Sequence, residues 1–537
     1  MEQQGYTSKT LDHLGLIAGI CQEIGIGEAI DDICPPESPD QFVSTGKALE
    51  AMVLNGLGFV NKRLYLVPKF FEDKPVEALL GPGIKAEHLN DDRLGRALDT
   101  FYECGVTPLF AVLSQRAFKA LGFKPGTGHL DTTTLSAHGK YNSAEENVEG
   151  LHITQGYSKD NRPDLPQATL QLICEHLGGI PVHMEALNGN SNDSESFRQA
   201  IETYGRQLHA EDGVQSIIAD SKLYSKETLQ VLEENRMGWS SRVPGTLKEA
   251  KGLLRGIAPG SLSPLGIEGY SSASYPSDYG GVSQHWVVYH SDEAAGREAK
   301  ALKRKLDKEA AQADKSLRAL KRRRFHCKED ALKAAKQWQG QWKWHSLGGI
   351  SAMQEKKHKG PGRPSASSKP SIEYAIGAEL LADKASWEQE VFRHGLFILA
   401  TNGPVDDTAA ERALLQSYKK QQSVERGFRF IKDPNIVASS FFVKKPERVE
   451  ALLFVMAVCL LVYSVLEYRI RESLKSNERT VPDQKGKPTD NPTARWVFQL
   501  FVGIHMLTLP DGSKVILNLK QEHRDILDVL SYWSFYS

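Results

Sequence analysis

From residue 128 onward the chain alternates strand-like and helix-like segments in an order that few folds accommodate. Gly128-His-Leu-Asp131-Thr-Thr-Thr-Leu135 is β-branched and half apolar, which reads as a strand interrupted by an acid. Residues 169–175 and 180–187 read as a hairpin about Leu177-Gly-Gly. Residues 194–208 then have helical periodicity, with Asp193 or Ser194 as N-cap. Val214-Gln-Ser-Ile-Ile-Ala-Asp220 is a buried strand ending in a second acid, and Ser225 caps a helix over 226–234. Arg242-Val-Pro closes another short strand, and after a long interruption strand character returns at 394–401, followed by a helix carrying Glu425. The order is therefore strand with an acid, two hairpin strands, helix, strand with an acid, helix, insertion, strand, helix. An α/β mixed sheet covered by helices presents its ligand groups at the strand ends.

A chain of 537 residues exceeds one ordinary domain, and 40% apolar with 25% charged residues is globular composition. The net charge of −1 excludes a uniformly basic nucleic-acid binder, so any nucleic-acid site must be a local patch. Cysteines at 21, 34, 104, 174, 327 and 459 contain no CxxC and no spacing that suggests a disulfide framework or zinc site. The first residues, Met-Glu-Gln-Gln-Gly-Tyr, have neither a basic start nor an apolar run, so a reducing, cytoplasmic setting is expected. Residues 451–466 are nearly all apolar. That run falls short of the roughly 20 residues that span a bilayer and reads as a buried core helix.

Composition divides the chain further. Residues 1–108 read as a helical N-terminal domain, for DNA binding or dimerisation, with turn signals at Gly81-Pro-Gly. Residues 109–244 and 386–475 form the two parts of the core, with a C-terminal region over 476–537 that contains a hairpin about Pro510-Asp-Gly. Between the two core parts lies an insertion domain, 245–385. It holds a strand near 285–289, a basic helix from Gly296 to Arg324 with 12 Lys and Arg against 4 Asp and Glu, and a Pro/Gly/Ser-rich link at 359–368.

Asp131 and Asp220 have ordinary explanations, as a strand-edge acid among threonines and as an Asx-type strand terminator. Glu425 has a more distinctive setting. At 100° per residue Tyr418, Gln421, Glu425, Arg429 and Lys432 share one stripe about 80° wide, offering an acid, two cations, a phenol and an amide to one ligand. A solvated helix with ordinary ion pairs has the same look. Three acids converging from this strand order would bind two divalent cations through hard oxygen ligands, the arrangement of in-line phosphodiester chemistry. Lys159 and Arg162, in a Pro-bracketed loop, are further candidates for phosphate contact.

The motif Tyr-x2-Arg-x3-Glu-x6-Lys, matched by Tyr418, Glu425 and Lys432 with Gln421 in place of Arg, resembles the signature of DDE transposases of bacterial insertion sequences, the IS-four superfamily. Leu-Asp131-Thr-Thr and Ile-Ile-Ala-Asp220-Ser resemble the first two acids of that family's triad. The loop Gln155-Gly-Tyr-Ser-Lys-Asp-Asn-Arg-Pro-Asp-Leu165, the turn Gly189-Asn-Ser-Asn-Asp193 and Leu89-Asn-Asp-Asp-Arg-Leu-Gly-Arg96 resemble its 1634-type branch. The resemblance runs from about residue 10 to about residue 470.

It implies an RNase H-like catalytic core in which Asp131, Asp220 and Glu425 hold two Mg²⁺ (or Mn²⁺) ions. Tyr418, Gln421, Arg429, Lys432, Lys159 and Arg162 are then the candidate contacts to double-stranded DNA. Gln421 lacks the bidentate fork of an arginine, and Arg429 on the same stripe is the expected substitute. The implied activity is cut-and-paste transposition by a homodimer acting on transposon ends and target DNA, nucleoid-associated when bound and without a membrane partner. The alternatives are an RNase H-like nuclease that does not join strands, and an inactive transposase-derived DNA-binding protein.

Overall fold

Nine strands build one sheet at the centre of the molecule. They are β1 Thr127–Ser136, β2 Gln167–Glu175, β3 Pro181–Leu187, β4 Ser216–Ala219, β5 Gly238–Arg242, β6 Ser263–Pro264, β7 Tyr270–Ser277, β8 Gln284–Ser291 and β9 Leu396–Thr401. In this computed structural model they lie in the order β3-β2-β1-β4-β5-β9-β8-β7-β6. The described residues are 6–35, 41–59, 64–137, 150–160, 162–208, 213–357, 371–433 and 445–537, so the link expected at 359–368 lies outside them. The hairpin strands β1, β2 and β3 pair antiparallel, whereas β4 runs parallel to β1 and β5 parallel to β4. Parallel neighbours need a crossover between them. Helices α1 (Asp193–Leu208) and α2 (Lys226–Glu234) supply those crossovers.

This mixed sheet has the RNase H-like order that the resemblance implied. The short strand that ends at Arg242 is β5, the parallel neighbour of β4, and the strand after the insertion, β9, lies antiparallel between β5 and β8. The insertion differs from the separate domain expected over 245–385. Its first part adds β6, β7 and β8 to the main sheet, each pairing antiparallel with its neighbour. The remainder is α3 (Asp292–Arg322), the helix Lys328–Gln339 and an antiparallel pair, His345–Lys357 with Ser371–Ala382. These pieces close on a small core of their own, including Leu317, Leu320, Trp338 and Ile376.

Opposite faces of the sheet have different cores. On one, Leu130, Ile217 and Ala219 pack under Phe197 and Ile201 of α1 and Leu229 and Leu232 of α2. On the other, Leu170, Leu172 and Cys174 pack against the helical body of the molecule. At its centre is α6 (Pro446–Ser476), 31 residues long and opened by Pro446. It is long and apolar enough to cross a membrane by length and composition, but 83% of its most apolar window is buried within the fold. Helices Leu14–Ile24, Thr45–Leu57, Asp91–Cys104 and Val106–Leu121 surround it. The N-terminal helical region thus runs to Leu121 and shares one core with α6 and with the C-terminal residues up to Tyr536. The chain ends meet, since Thr7–Thr10 pairs antiparallel with His505–Thr508. The fold brings the sulfurs of Cys34 and Cys104, 70 residues apart, into contact, a proximity for which the cysteine spacing gave no signal.

Candidate active site

Strand register brings the first two acids together. In the parallel pair β1–β4, Leu130 stands opposite Ala219, and both side chains enter the core beneath α1 and α2. Asp131 and Asp220 each follow by one residue, so the alternation of a strand turns both toward the other face. Adjacent strands lie about 5 Å apart, which sets the two carboxylates side by side. Thr132 donates its backbone N–H to Asp131 Oδ1 at 2.7 Å, and Lys222 donates its own to Asp220 Oδ1 at 2.8 Å. Burial pushes the Asp131 carboxyl up to about 6, against the pull of the Lys159 ammonium and the Thr132 N–H; Asp220 and Asp193 push it further the same way. Asp220 is raised as well, by burial first and then by Asp193 among its charged neighbours.

A third carboxylate, Asp193, lies within electrostatic reach of this pair. The sequence left the N-cap of α1 to Asp193 or Ser194, but Asn192 takes that role, its side chain accepting from Ser194 N–H at 3.0 Å. Asp193 is free to turn inward, where Thr132 Oγ1 donates to its Oδ1 at 2.8 Å. The loop that carries Lys159 is pinned against the same turn. Gly156 and Gly189 allow this contact, since a Cβ on Gly156 would stand 2.2 Å from Gly189 O, and one on Gly189 would stand 2.0 Å from Gln167 O. Lys159, partly exposed, turns its ammonium toward this group of acids. Its Nζ donates to Thr132 O and Oγ1, each at 2.6 Å, and stands 3.6 Å from both Asp131 Oδ1 and Asp193 Oδ2. Arg162 is exposed and pairs with Asp164 through two bonds, at 2.9 and 2.7 Å.

The stripe expected on one helix is shared by two. α4 (Thr408–Lys419) ends one residue after Tyr418, and α5 (Gln422–Ile431) begins beyond a joint at Lys420-Gln421. The backbone there stays near helical angles, which is why the periodicity reads straight through it. α4 packs against β4 and β5, and α5 against β1 and β2, so the pair straddles the two aspartates. Burial raises the Tyr418 phenol; the nearby Arg242 opposes this, and the charges of Asp220, Glu425 and Asp131 add to it. One phenol thus lies within electrostatic reach of all three predicted acids. Glu425 is half exposed and paired with Arg429 at 3.7 Å, while Lys432 Nζ donates to Asp160 Oδ1 at 2.6 Å.

Asp131 and Asp220 fit a hard divalent cation: their donors are carboxylate oxygens, adjacent, and burdened by their own repulsion. Among the described residues no three His, Cys, Asp or Glu groups are gathered closely enough to share one ion, so Glu425 is near the pair without closing on it. Asp193 is the group that sequence reasoning read as a helix cap rather than as a metal ligand. An acid in the first turn of a helix is ordinary, and nothing in its spacing distinguishes an inward-turned one.

With this geometry in place, comparison with known proteins identifies the chain. A family model described as a transposase DDE domain matches residues 123–462. The chain belongs to the DDE-domain transposases. A second model, a domain of unknown function (DUF4277), matches residues 6–115 of this transposase. No curated protein matches it. Among solved structures it is similar to a piggyBac transposase synaptic complex with hairpin DNA, determined by cryo-electron microscopy. That match has 9% identity over 99% of this chain and 88% of the other, with a TM-score of 0.40. As a transposase the protein is an enzyme that acts on DNA, in a family whose members generally use divalent metal ions.

Proposed function

We propose that this transposase cuts DNA at terminal inverted repeats and joins the freed 3′ ends to target DNA, with Asp131, Asp220 and Glu425 as the acids that hold two Mg²⁺ ions. The observation that carries this reading is the register of β1 against β4. It sets Asp131 and Asp220 side by side on one face, both with carboxyls raised above the usual range. Divalent ions held by Asp131, Asp220 and Glu425 would supply Lewis-acid activation of the attacking oxygen and stabilisation of the leaving one. The chain's own groups do the rest. Asp131 on β1 and Asp220 just beyond the end of β4, each held by a backbone N–H, define the position of the reacting phosphate. Glu425 completes the set from α5. Tyr418, between the aspartates and Glu425, orients the phosphodiester through its hydroxyl. Arg429 and Lys432, now paired with Glu425 and Asp160, exchange those partners for DNA phosphates.

The basic helix supports the same reading. On α3 the exposed Arg297, Lys300, Arg304, Lys308, Lys315 and Arg322 fall within a stripe about 80° wide. At 1.5 Å per residue it extends about 38 Å, long enough to follow a duplex for about a turn. In this proposal two copies bring two transposon ends together, as cut-and-paste joining requires.

The test is incubation with a supercoiled plasmid carrying the element's ends, with Mg²⁺ or with EDTA. Release and joining of the ends, dependent on Mg²⁺ and lost on changing Asp131, Asp220 or Glu425 to Ala while DNA binding persists, is the expected result. Nicking that never proceeds to joining would replace this reading with that of a nuclease. Normal cutting by any one of the three variants would remove that residue from the site.

A further inference from the structure

Lys159 does something different from binding DNA. Two of its three ammonium hydrogens are taken by Thr132, through the carbonyl and the hydroxyl at 2.6 Å each. The nitrogen itself stands 3.6 Å from an oxygen of each of Asp131 and Asp193, in ion-pair range of both and in hydrogen-bond contact with neither. The Thr132 hydroxyl, which accepts from Lys159, donates to Asp193 at 2.8 Å. Asp193 thus fixes the hydroxyl, and the hydroxyl fixes the ammonium against the carboxylate one residue away in the chain. The backbone of Lys159 is also held, its N–H donating to Thr134 Oγ1 at 3.0 Å, so only the side chain is free to move. Three carboxylates, Asp131, Asp193 and Asp220, lie within electrostatic reach of this cation, with the Lys222 ammonium a further influence on Asp220, so the acids outnumber the cations and leave a negative charge for a divalent ion to neutralise.

We propose that Lys159 is a resident counter-cation of the catalytic pocket, competing with the divalent ion for Asp131, and that Asp193 is the positioning residue that sets where its ammonium stands. The proposal rests on the reading of Asp131 and Asp220 as metal-holding groups. In the metal-free protein the ammonium limits the repulsion among the carboxylates. Loading requires it to yield Asp131 and fall back on Thr132 and Asp193. The device keeps the acids assembled before metal and DNA arrive, at some cost in metal affinity.

The test is calorimetric titration of the full-length protein with Mn²⁺ alone, without DNA, so that no turnover enters the measurement. Lys159→Met keeps the aliphatic stem and removes the charge. It should bind Mn²⁺ about tenfold more tightly, a change of about 1.4 kcal/mol, while its metal-free melting midpoint falls. Lys159→Arg keeps the charge and should stay within about twofold of wild type; this variant decides the matter if the methionine variant does not fold. Asp193→Asn should weaken Mn²⁺ binding in the wild-type background and lose most of that effect in Lys159→Met, because it acts through the ammonium. Unchanged or weaker binding by Lys159→Met, equal tightening by Lys159→Arg, or an Asp193→Asn effect undiminished in the double variant would each overturn the proposal. Asp131→Asn separates the two levels. If it leaves Mn²⁺ binding intact, the metal-site reading itself has failed; if it abolishes binding while Lys159→Met changes nothing, only the role given to Lys159 has.

Discussion

Asp131→Asn should make the metal-free transposase more stable while destroying its activity. Burial moves the Asp131 carboxyl from 3.8 to about 6, and at 1.36 kcal/mol per pH unit its ionised form costs the folded state about 3 kcal/mol. The sign follows from proton binding. Between roughly pH 4 and pH 6 the folded protein holds a proton at this carboxyl that the unfolded chain has released, so stability declines as pH rises through that window. The contribution is fully present below about pH 4 and gone above about pH 6. Asparagine cannot ionise, keeps an oxygen for the Thr132 N–H, and gives up only the attraction of Lys159. In EDTA at pH 7.5 the variant should therefore gain about 1–3 kcal/mol over wild type, shrinking toward zero near pH 4. The assay is a series of thermal melts of both proteins across pH 4–8 in EDTA, beside plasmid cleavage in Mg²⁺. Two midpoint curves that stay parallel through pH 4–7 would refute the reasoning, because the penalty on the ionised carboxylate would then be absent.

Four other outcomes follow. Mg²⁺ should raise the wild-type melting midpoint at pH 7.5 and much less at pH 5, where protons hold Asp131; an equal shift at both pH values would contradict the raised carboxyl. Glu425→Gln, at a half-exposed position, should abolish cleavage with a change in stability below about 0.5 kcal/mol, and a large destabilisation would reveal a structural role instead. Arg429→Ala should weaken binding of a labelled transposon end more than Gln421→Ala, since Arg429 is exposed and cationic while Gln421 sits half-buried at the joint; the reverse order would show that the amide is the DNA contact. Changing Arg297, Arg304, Lys308 and Lys315 together to Gln should reduce the slope of log K against log salt by roughly 3 to 4, and an unaltered slope would take α3 off the DNA path.

Local pattern made much of the catalytic half legible. The apolar and β-branched alternation around Asp131, the hairpin at Leu177-Gly-Gly, the Ser225 cap and the acid closing β4 all depend on residues near one another in sequence, and each forms as read. The features that escaped depend on contacts between distant segments. Nothing in residues 394–401 reveals that β9 pairs with β5 on one edge and β8 on the other, because strand partners are chosen by the sheet as a whole. Lys159 looks like any loop cation until Thr132 and Thr134 are brought under it from β1. Asp193 looks like a cap because a capping residue and an inward acid occupy the same first turn. The core beneath α6 was legible as an apolar run, but its neighbours come from both ends of the chain.

The joint at Lys420-Gln421 gives the site its division of labour. Asp131 and Asp220 are fixed by a parallel strand pair, whose hydrogen bonds hold their relative position whatever is bound. Glu425 and Lys432 are carried instead by α5 and its C-cap, anchored to the core through Phe428 and Ile431 and separated from α4 by two residues that end one hydrogen-bond ladder and begin another. A continuous helix would tie Glu425 rigidly to Tyr418; two helices let the glutamate adjust by small rotations at the joint while the phenol keeps its place beside the aspartates. That arrangement suits an enzyme that has to accept a DNA end before its third acid closes. Under the proposed assignment, DNA phosphate would draw Arg429 from Glu425 and Lys432 from Asp160 and so free the carboxylate for its partners. Glutamine at position 421 is compatible with this, for an arginine at the joint would add a further charge to be neutralised before the site could close.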